Sequence, residues 1–168
     1  MKDTLKAYQS RNVPRYTSYP TAPHFSKDFS AKSYADWLIA LPAQDPISLY
    51  LHVPFCRELC WYCGCNMKLA KRDEPVAAYA KTLVKEVELL AQHLPNRMEI
   101  SHLHWGGGTP TALVPDDLSR AMDAVHTHFD ITNQAEVAIE SDPRTLTDEM
   151  IRRIGELGFT RASFGVQE

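Results

Sequence analysis

The 168 residues are enough for one domain with a real core, since single domains commonly run to about 100–150 residues, and 44% apolar with 23% charged residues stands far from the composition of disordered chains. A net charge of −3, with lysine and arginine scattered along the chain, provides no basic field for a phosphate backbone and argues against nucleic acid as a partner. No stretch approaches the ~20 apolar residues of a membrane span, and residues 1–10 lack the apolar core of a signal peptide, so no membrane partner is expected and the expected address is cytoplasmic.

Residues 1–46 read as an N-terminal arm, rich in Pro, Tyr, Ser and Thr, with a short amphipathic helix over residues 33–41 and with Pro42 and Pro46 at its end. Residues 47–168 read as the core. Residues 47–53 alternate, with Ile47, Leu49, Leu51 and Val53 on one face and Ser48, Tyr50 and His52 on the other, which predicts a strand. Pro75 opens a long helix in which Val76, Ala80, Leu83, Val84, Val87, Leu90 and Leu94 recur at helical spacing. A second strand over residues 98–105 runs into Gly106-Gly107-Gly108-Thr109-Pro110-Thr111. Pro115, Asp116 and Asp117 then start a helix that carries Leu118, Met122, Val125 and Phe129 inward. Residues 136–141 form a third strand. Thr147 is placed to cap the next helix, Leu146 and Ile151 to staple its start, and Gly158 to end it. Residues 160–166 form a fourth strand.

The order βαβαβαβ predicts parallel strands joined by right-handed crossovers, in a Rossmann-like sheet or a section of a (β/α) barrel. The phase of the polar residues favours the barrel. Tyr50 and His52, His102 and His104, Glu140 and Asp142, and Arg161, Ser163 and Gln167 each fall on one face of their strand and could line one lumen. Either architecture binds ligands at the C-terminal ends of its strands, where the cysteines, the glycine run and Glu140 all fall.

All four cysteines fall within Cys56-x3-Cys60-x2-Cys63-x-Cys65, directly after the first strand. In a reducing compartment such crowding reads as metal binding or catalysis rather than disulfides. Closely spaced thiolates suit an iron–sulfur cluster, whereas structural zinc usually takes two separated pairs and finds no second pair here; a zinc-binding module is the duller alternative. Three cysteines on a four-iron cluster leave one iron open to a substrate or cofactor. For the histidines at 52, 102 and 104, lumen lining or a core position is the expected role rather than metal ligation.

The Cys-x3-Cys-x-aromatic-Cys motif, with Tyr62 as the aromatic, resembles that of radical S-adenosylmethionine enzymes. Within them the chain resembles the oxygen-independent coproporphyrinogen III oxidases, or dehydrogenases, of porphyrin and haem biosynthesis. It shares with them Pro14-Arg15-Tyr16-Thr17-Ser18-Tyr19-Pro20-Thr21-Ala22, Cys63-Gly64-Cys65-Asn66 and Leu103-His104-Trp105 followed by the glycine run, stretches that together span most of the chain. The resemblance implies a radical SAM oxidoreductase of α/β class, a partial (β/α) barrel after an N-terminal arm. In it Cys56, Cys60 and Cys63 hold a 4Fe–4S cluster, and the amino and carboxylate groups of S-adenosyl-L-methionine chelate the fourth iron. One electron then cleaves the sulfonium to a 5′-deoxyadenosyl radical, which takes hydrogen from an inert C–H bond. Tyr50, Tyr62, Gly107, Gly108, Thr109, Glu140 and Gln167 match the family's cofactor contacts. The glycines are expected to let backbone N–H groups approach the methionyl end closely; without the cysteines they would read as a flexible turn. For each tyrosine alone, packing is the commoner role.

The implied substrate is coproporphyrinogen III, decarboxylated oxidatively at two propionates to give protoporphyrinogen IX, with an electron donor and an electron acceptor that the sequence does not identify. Cys65 is implied to be a non-ligand thiol near the substrate, or else a small residue supporting the loop. Arg15 is suited to substrate carboxylates, or the arm around it to docking. A haem chaperone or another radical reaction is the sister reading, against which the residues around Arg15 and Cys65 speak. The sequence ends after the fourth strand, at Gln167-Glu168, whereas the resembling enzymes continue through further strands. The 168-residue chain alone is therefore expected to be inactive or weakly active, with its fourth strand a bare edge.

Overall fold

The computed structural model describes residues 21–166 apart from Lys27 and Tyr62. The chain divides between Tyr34 and Ala35 into two compact units. In the first, Ala22–His24 make a 3-10 turn closed by the His24 N–H on the Thr21 carbonyl, and the Phe29 and Tyr34 rings meet edge to face. Helix α1 (Ala31–Ile39) crosses the division. It starts two residues before the predicted 33–41 because the Ser30 hydroxyl accepts the Ser33 N–H at 3.1 Å and caps the first turn.

The second unit contains strands β1 (Ile47–Val53), β2 (Phe55–Cys56), β3 (Lys68–Leu69), β4 (Glu99–Gly107), β5 (Asp130–Ser141) and β6 (Arg161–Phe164), with helices α2 (Glu74–Gln92), α3 (Pro115–His128) and α4 (Asp148–Glu156). Four strands form one parallel sheet in the order β1-β4-β5-β6. The β2–β3 pair, which the sequence does not announce, is a separate two-stranded parallel ladder.

The apolar alternation of β1 buries Leu49, Leu51 and Val53 and leaves Tyr50 exposed. In β4 both Ile100 and Leu103 are buried although they differ in parity, because a register irregularity between Ile100 and His102 resets the alternation. Strand β5 begins six residues earlier than the predicted 136–141. Its extension pairs Asp130 and Ile131 with the start of β4, and Asp130 takes an ion pair from Arg97 at 2.7 Å.

The helices begin and end as their residues dictate. Pro75 sits in the first turn of α2, Asp116 and Asp117 in that of α3, and the Thr147 hydroxyl accepts the Met150 N–H at 3.2 Å in α4. Gly158 takes a positive φ of 77° to end α4. Leu146 packs on the core, whereas Ile151, its expected staple partner, is half exposed.

Leu49, Leu51, Val53, Leu103, Trp105, Val137 and Ile139 from the strands form one core with Val76, Leu83, Leu118, Met122, Val125 and Met150 from all three helices. Helices α2, α3 and α4 thus cover the same face of the sheet, the arrangement of a barrel wall rather than of a doubly wound sheet with helices on both faces. On the other face the register sets Tyr50 beside His104, His104 beside Ala138, Ala138 beside Arg161 and Glu140 beside Ser163. This is the single polar face expected from the sequence. The molecule is an α/β, parallel, partial (β/α) barrel.

Candidate cluster and cofactor site

The cysteine loop is closed at its base by β2 and β3. Lys68 N–H donates to the Pro54 carbonyl at 2.6 Å, and Ala70 N–H to the Cys56 carbonyl at 2.9 Å. Arg57 braces this base from within, donating to the carbonyls of Ala70, Arg72 and Ala112 and pairing with Asp73. The four cysteines are thiols: Cys56 is buried, Cys60 and Cys63 half-buried, and Cys65 exposed. A turn links two of them through Cys63 N–H to the Cys60 carbonyl at 3.1 Å. Burial pushes the Cys56 thiol up, the Thr109 hydroxyl at 3.5 Å pulls it down, and Cys63 and Cys60 push it up again. Cys65 is raised by burial first, then by Cys63, Glu140 and Cys56. The thiols are therefore within electrostatic reach of one another. Among the described residues no three His, Cys, Asp or Glu side chains stand at single-ion spacing. In an iron–sulfur cluster each thiolate binds a different iron, so ligands need not converge on one point, and a soft, all-thiol donor set fits that group.

Beside the loop lies the polar face of the sheet. His52 Nε2 faces the Asn66 carbonyl at 3.0 Å, and because a carbonyl only accepts, that nitrogen carries the proton. In neutral His52 the Nδ1 then accepts from the Tyr50 hydroxyl at 2.9 Å. Tyr50 also stacks on His104, with ring centroids 5.7 Å apart and planes within 14°, and its own phenol is raised by burial, then by Glu140 and Cys65. Glu140 is held by His104 at 3.2 Å and by the Gly107 N–H at 3.3 Å.

The glycine run joins the two halves through contacts within the chain. The N–H groups of Gly107, Gly108 and Thr109 donate to Glu140, to the Val53 carbonyl at 2.9 Å and to the Phe55 carbonyl at 2.8 Å, so they are engaged within the chain. A Cβ on Gly108 would stand 2.7 Å from the Phe55 backbone. One on Gly107, whose φ is +118°, would stand 2.7 Å from the His52 ring, and one on Gly106 would stand 3.0 Å from Tyr50. Bare backbone is needed here for the chain's own packing.

The structure thus brings together Tyr50, Cys56, Cys60, Cys63, Cys65, Gly107, Gly108, Thr109 and Glu140. Tyr62, Gln167 and residues 14–20 of the arm motif, Arg15 among them, lie outside the described residues. His102 pairs with Ser101 at 3.0 Å and takes no part. Sequence reasoning overlooked Arg144, which donates to Cys60 Sγ at 3.4 Å and pairs with Glu58 at 2.9 Å and Asp142 at 2.6 Å. The signal was its place in Asp142-Pro143-Arg144, just past the C-terminal end of a barrel strand. Its hydrogen bonds hold Asp142 below the usual carboxylate range, and Asp142 in turn raises the guanidinium.

The chain resembles known proteins over almost its whole length. It is 49% identical over 165 residues to an oxygen-independent coproporphyrinogen III oxidase of Bradyrhizobium diazoefficiens, covering 98% of this chain and 37% of that protein. It is 40% identical over 155 residues to the protein of the same name in Escherichia coli, covering 92% of this chain and 34% of that one. The solved structure of coproporphyrinogen III oxidase (HemN) from Escherichia coli, described as a radical SAM enzyme, superposes with a TM-score of 0.84 at 37% identity, covering 98% of this chain and 36% of that one. The chain therefore spans about a third of the length of these relatives. The family model of the radical SAM superfamily matches residues 50–168, from the stacked Tyr50 through the cysteine loop, the glycine run and Glu140, and the chain belongs to that superfamily.

Proposed function

We propose that this chain is the cluster- and cofactor-binding portion of an oxygen-independent coproporphyrinogen III oxidase, with Cys56, Cys60 and Cys63 holding a 4Fe–4S cluster whose fourth iron takes S-adenosyl-L-methionine. The observation that carries the reading is the packing of the thiol loop on the glycine run, with Cys56 Sγ at Thr109 and the Thr109 N–H on Phe55. The names of relatives 40–49% identical support the substrate. When bound, the cluster and S-adenosylmethionine would supply the one-electron chemistry.

The chain's own residues orient and shield. Glu140, fixed by His104 and the Gly107 N–H, presents a carboxylate on the polar face and suits ribose hydroxyls. Tyr50, stacked on His104, offers a flat wall. Gly107, Gly108 and Thr109 pack against the base of the cysteine loop, with Thr109 at Cys56, and Tyr62 and Gln167 are further contacts assigned from their motif positions. Cys65, exposed beside Cys63, is assigned as a thiol near the substrate rather than a ligand. The arm over residues 1–46, through Arg15, suits the carboxylates of coproporphyrinogen III. Each propionate converted to vinyl releases carbon dioxide, a proton and two electrons, so the reaction needs an electron acceptor besides the donor that reduces the cluster. A cytoplasmic address fits reduced thiols.

The test is anaerobic reconstitution followed by metal and sulfide analysis. About four iron and four sulfide per chain are expected, lost in Cys56→Ser, Cys60→Ser and Cys63→Ser and kept in Cys65→Ser. Zinc without acid-labile sulfide would overturn the reading. Anaerobic conversion of coproporphyrinogen III tests the substrate separately.

A further inference from the structure

Arg144 leaves the sheet just past β5 and reaches the cysteine loop. Its guanidinium is fixed from the barrel side: Nε donates to Asp142 Oδ1 at 3.0 Å, Nη2 donates to Oδ2 at 2.6 Å, and the same carboxylate accepts Arg144's own backbone N–H at 3.0 Å. The Asp142 side chain is only 13% exposed, while that of Arg144 is 39% exposed. The remaining donors point at the loop, with Nη1 on Glu58 at 2.9 Å and Nη2 on Cys60 Sγ at 3.4 Å. A guanidinium has no acceptor, so the sulfur accepts. The contact ties residues 84 positions apart in the sequence.

We propose that Arg144 is a positioning residue for the cluster, holding Cys60 Sγ in place for its iron and setting the cluster's reduction potential through a charge-assisted hydrogen bond to that sulfur. This rests on the cluster assignment above. Hydrogen bonds to ligating sulfurs and nearby charge are among the quantities that set such potentials. A cation at the sulfur would stabilise the negative charge that reduction adds to a bound cluster. Loss of Arg144 also leaves the carboxylates of Asp142 and Glu58 uncompensated beside the site, which shifts the potential in the same direction, downward.

The experiment compares wild type, Arg144→Met, Arg144→Gln and Arg144→Lys after anaerobic reconstitution, by iron and sulfide content and by a dithionite potentiometric titration followed by electron paramagnetic resonance. In Arg144→Met the reduced-to-oxidised ratio at a fixed potential is expected to fall about tenfold, equivalent to about 59 mV for one electron, with faster bleaching in air. Arg144→Lys, which keeps the charge, is expected to recover most of the potential. Arg144→Gln keeps an N–H donor but not the charge and is the variant to read if the methionine protein does not fold; its potential is expected below that of wild type. Wild type that loads a cluster while Arg144→Gln keeps its potential and spectrum would overturn this inference alone. Wild type that takes up no iron and sulfide would overturn the cluster assignment and this inference with it.

Discussion

Gly106, Gly107 and Gly108 are consecutive, yet each excludes a side chain for its own reason: an aromatic ring, a positive φ against an imidazole, and another strand's backbone. The last is the least forgiving, since a side chain can swing aside and a backbone in a ladder cannot. Gly108→Ala is therefore expected to destabilise the fold by about 1–3 kcal/mol, the usual cost of overpacking. Gly64→Ala, where nothing lies within 4 Å, is expected to stay within about 0.5 kcal/mol of wild type. Paired urea melts of the two variants check this, and equal losses would show that the close approach to Phe55 is not what requires glycine at 108.

At the scale of elements, α4 depends on its ends, having nine residues and among its buried side chains only Met150. Thr147→Ala removes the hydroxyl that accepts the Met150 N–H and is expected to cost about 1 kcal/mol, read as a lower melting temperature. A melt that does not move would mean that water replaces the cap. Thr147 and Gly158 were legible in the sequence because caps act within one turn. So were the strands, because a sheet buried on one face prints its alternation in the sequence, as Leu49, Leu51 and Val53 do. The start of β5 was not, because Asp130 and Ile131 are strand only by pairing with β4. The β2–β3 ladder, two residues a side, is too short to show a period. Within the site, the cysteine spacing is a local pattern and Glu140 was reached through the resemblance, whereas the contact of Arg144 with Cys60 and the close approaches at Gly107 and Gly108 arise from neighbours that sequence distance hides.

At the scale of the whole molecule, two phenols are tied to the frame of the site. Tyr79 donates to the His52 carbonyl, and burial, then Glu86 and Tyr50, raises its pKa; Tyr50 is raised as well. A folded pKa above the unfolded value near 10 means that the folded state holds its proton where the unfolded state has lost it. That stabilisation is complete below pH 10 and disappears as pH rises through the folded pKa. Stability measured by urea unfolding is expected to fall as pH rises above about 10 in wild type and to fall less in Tyr79→Phe, which at neutral pH is weaker by about 1 kcal/mol. Equal slopes for the two proteins would rule out Tyr79 as a source of the alkaline loss.

The hydrogen bond between Cys56 and Thr109 spans 53 positions, and it forms only where β4 has come alongside β1, across the whole of α2. Parallel pairing of this kind closes a long loop before any contact rewards it, which makes it slow compared with local structure. The cysteines are neighbours in the chain, but the floor beneath them depends on that long-range pairing. Iron uptake would then report on tertiary assembly: a collapsed chain with all four thiols but without the β1–β4 pair has the ligands and no pocket to put them in.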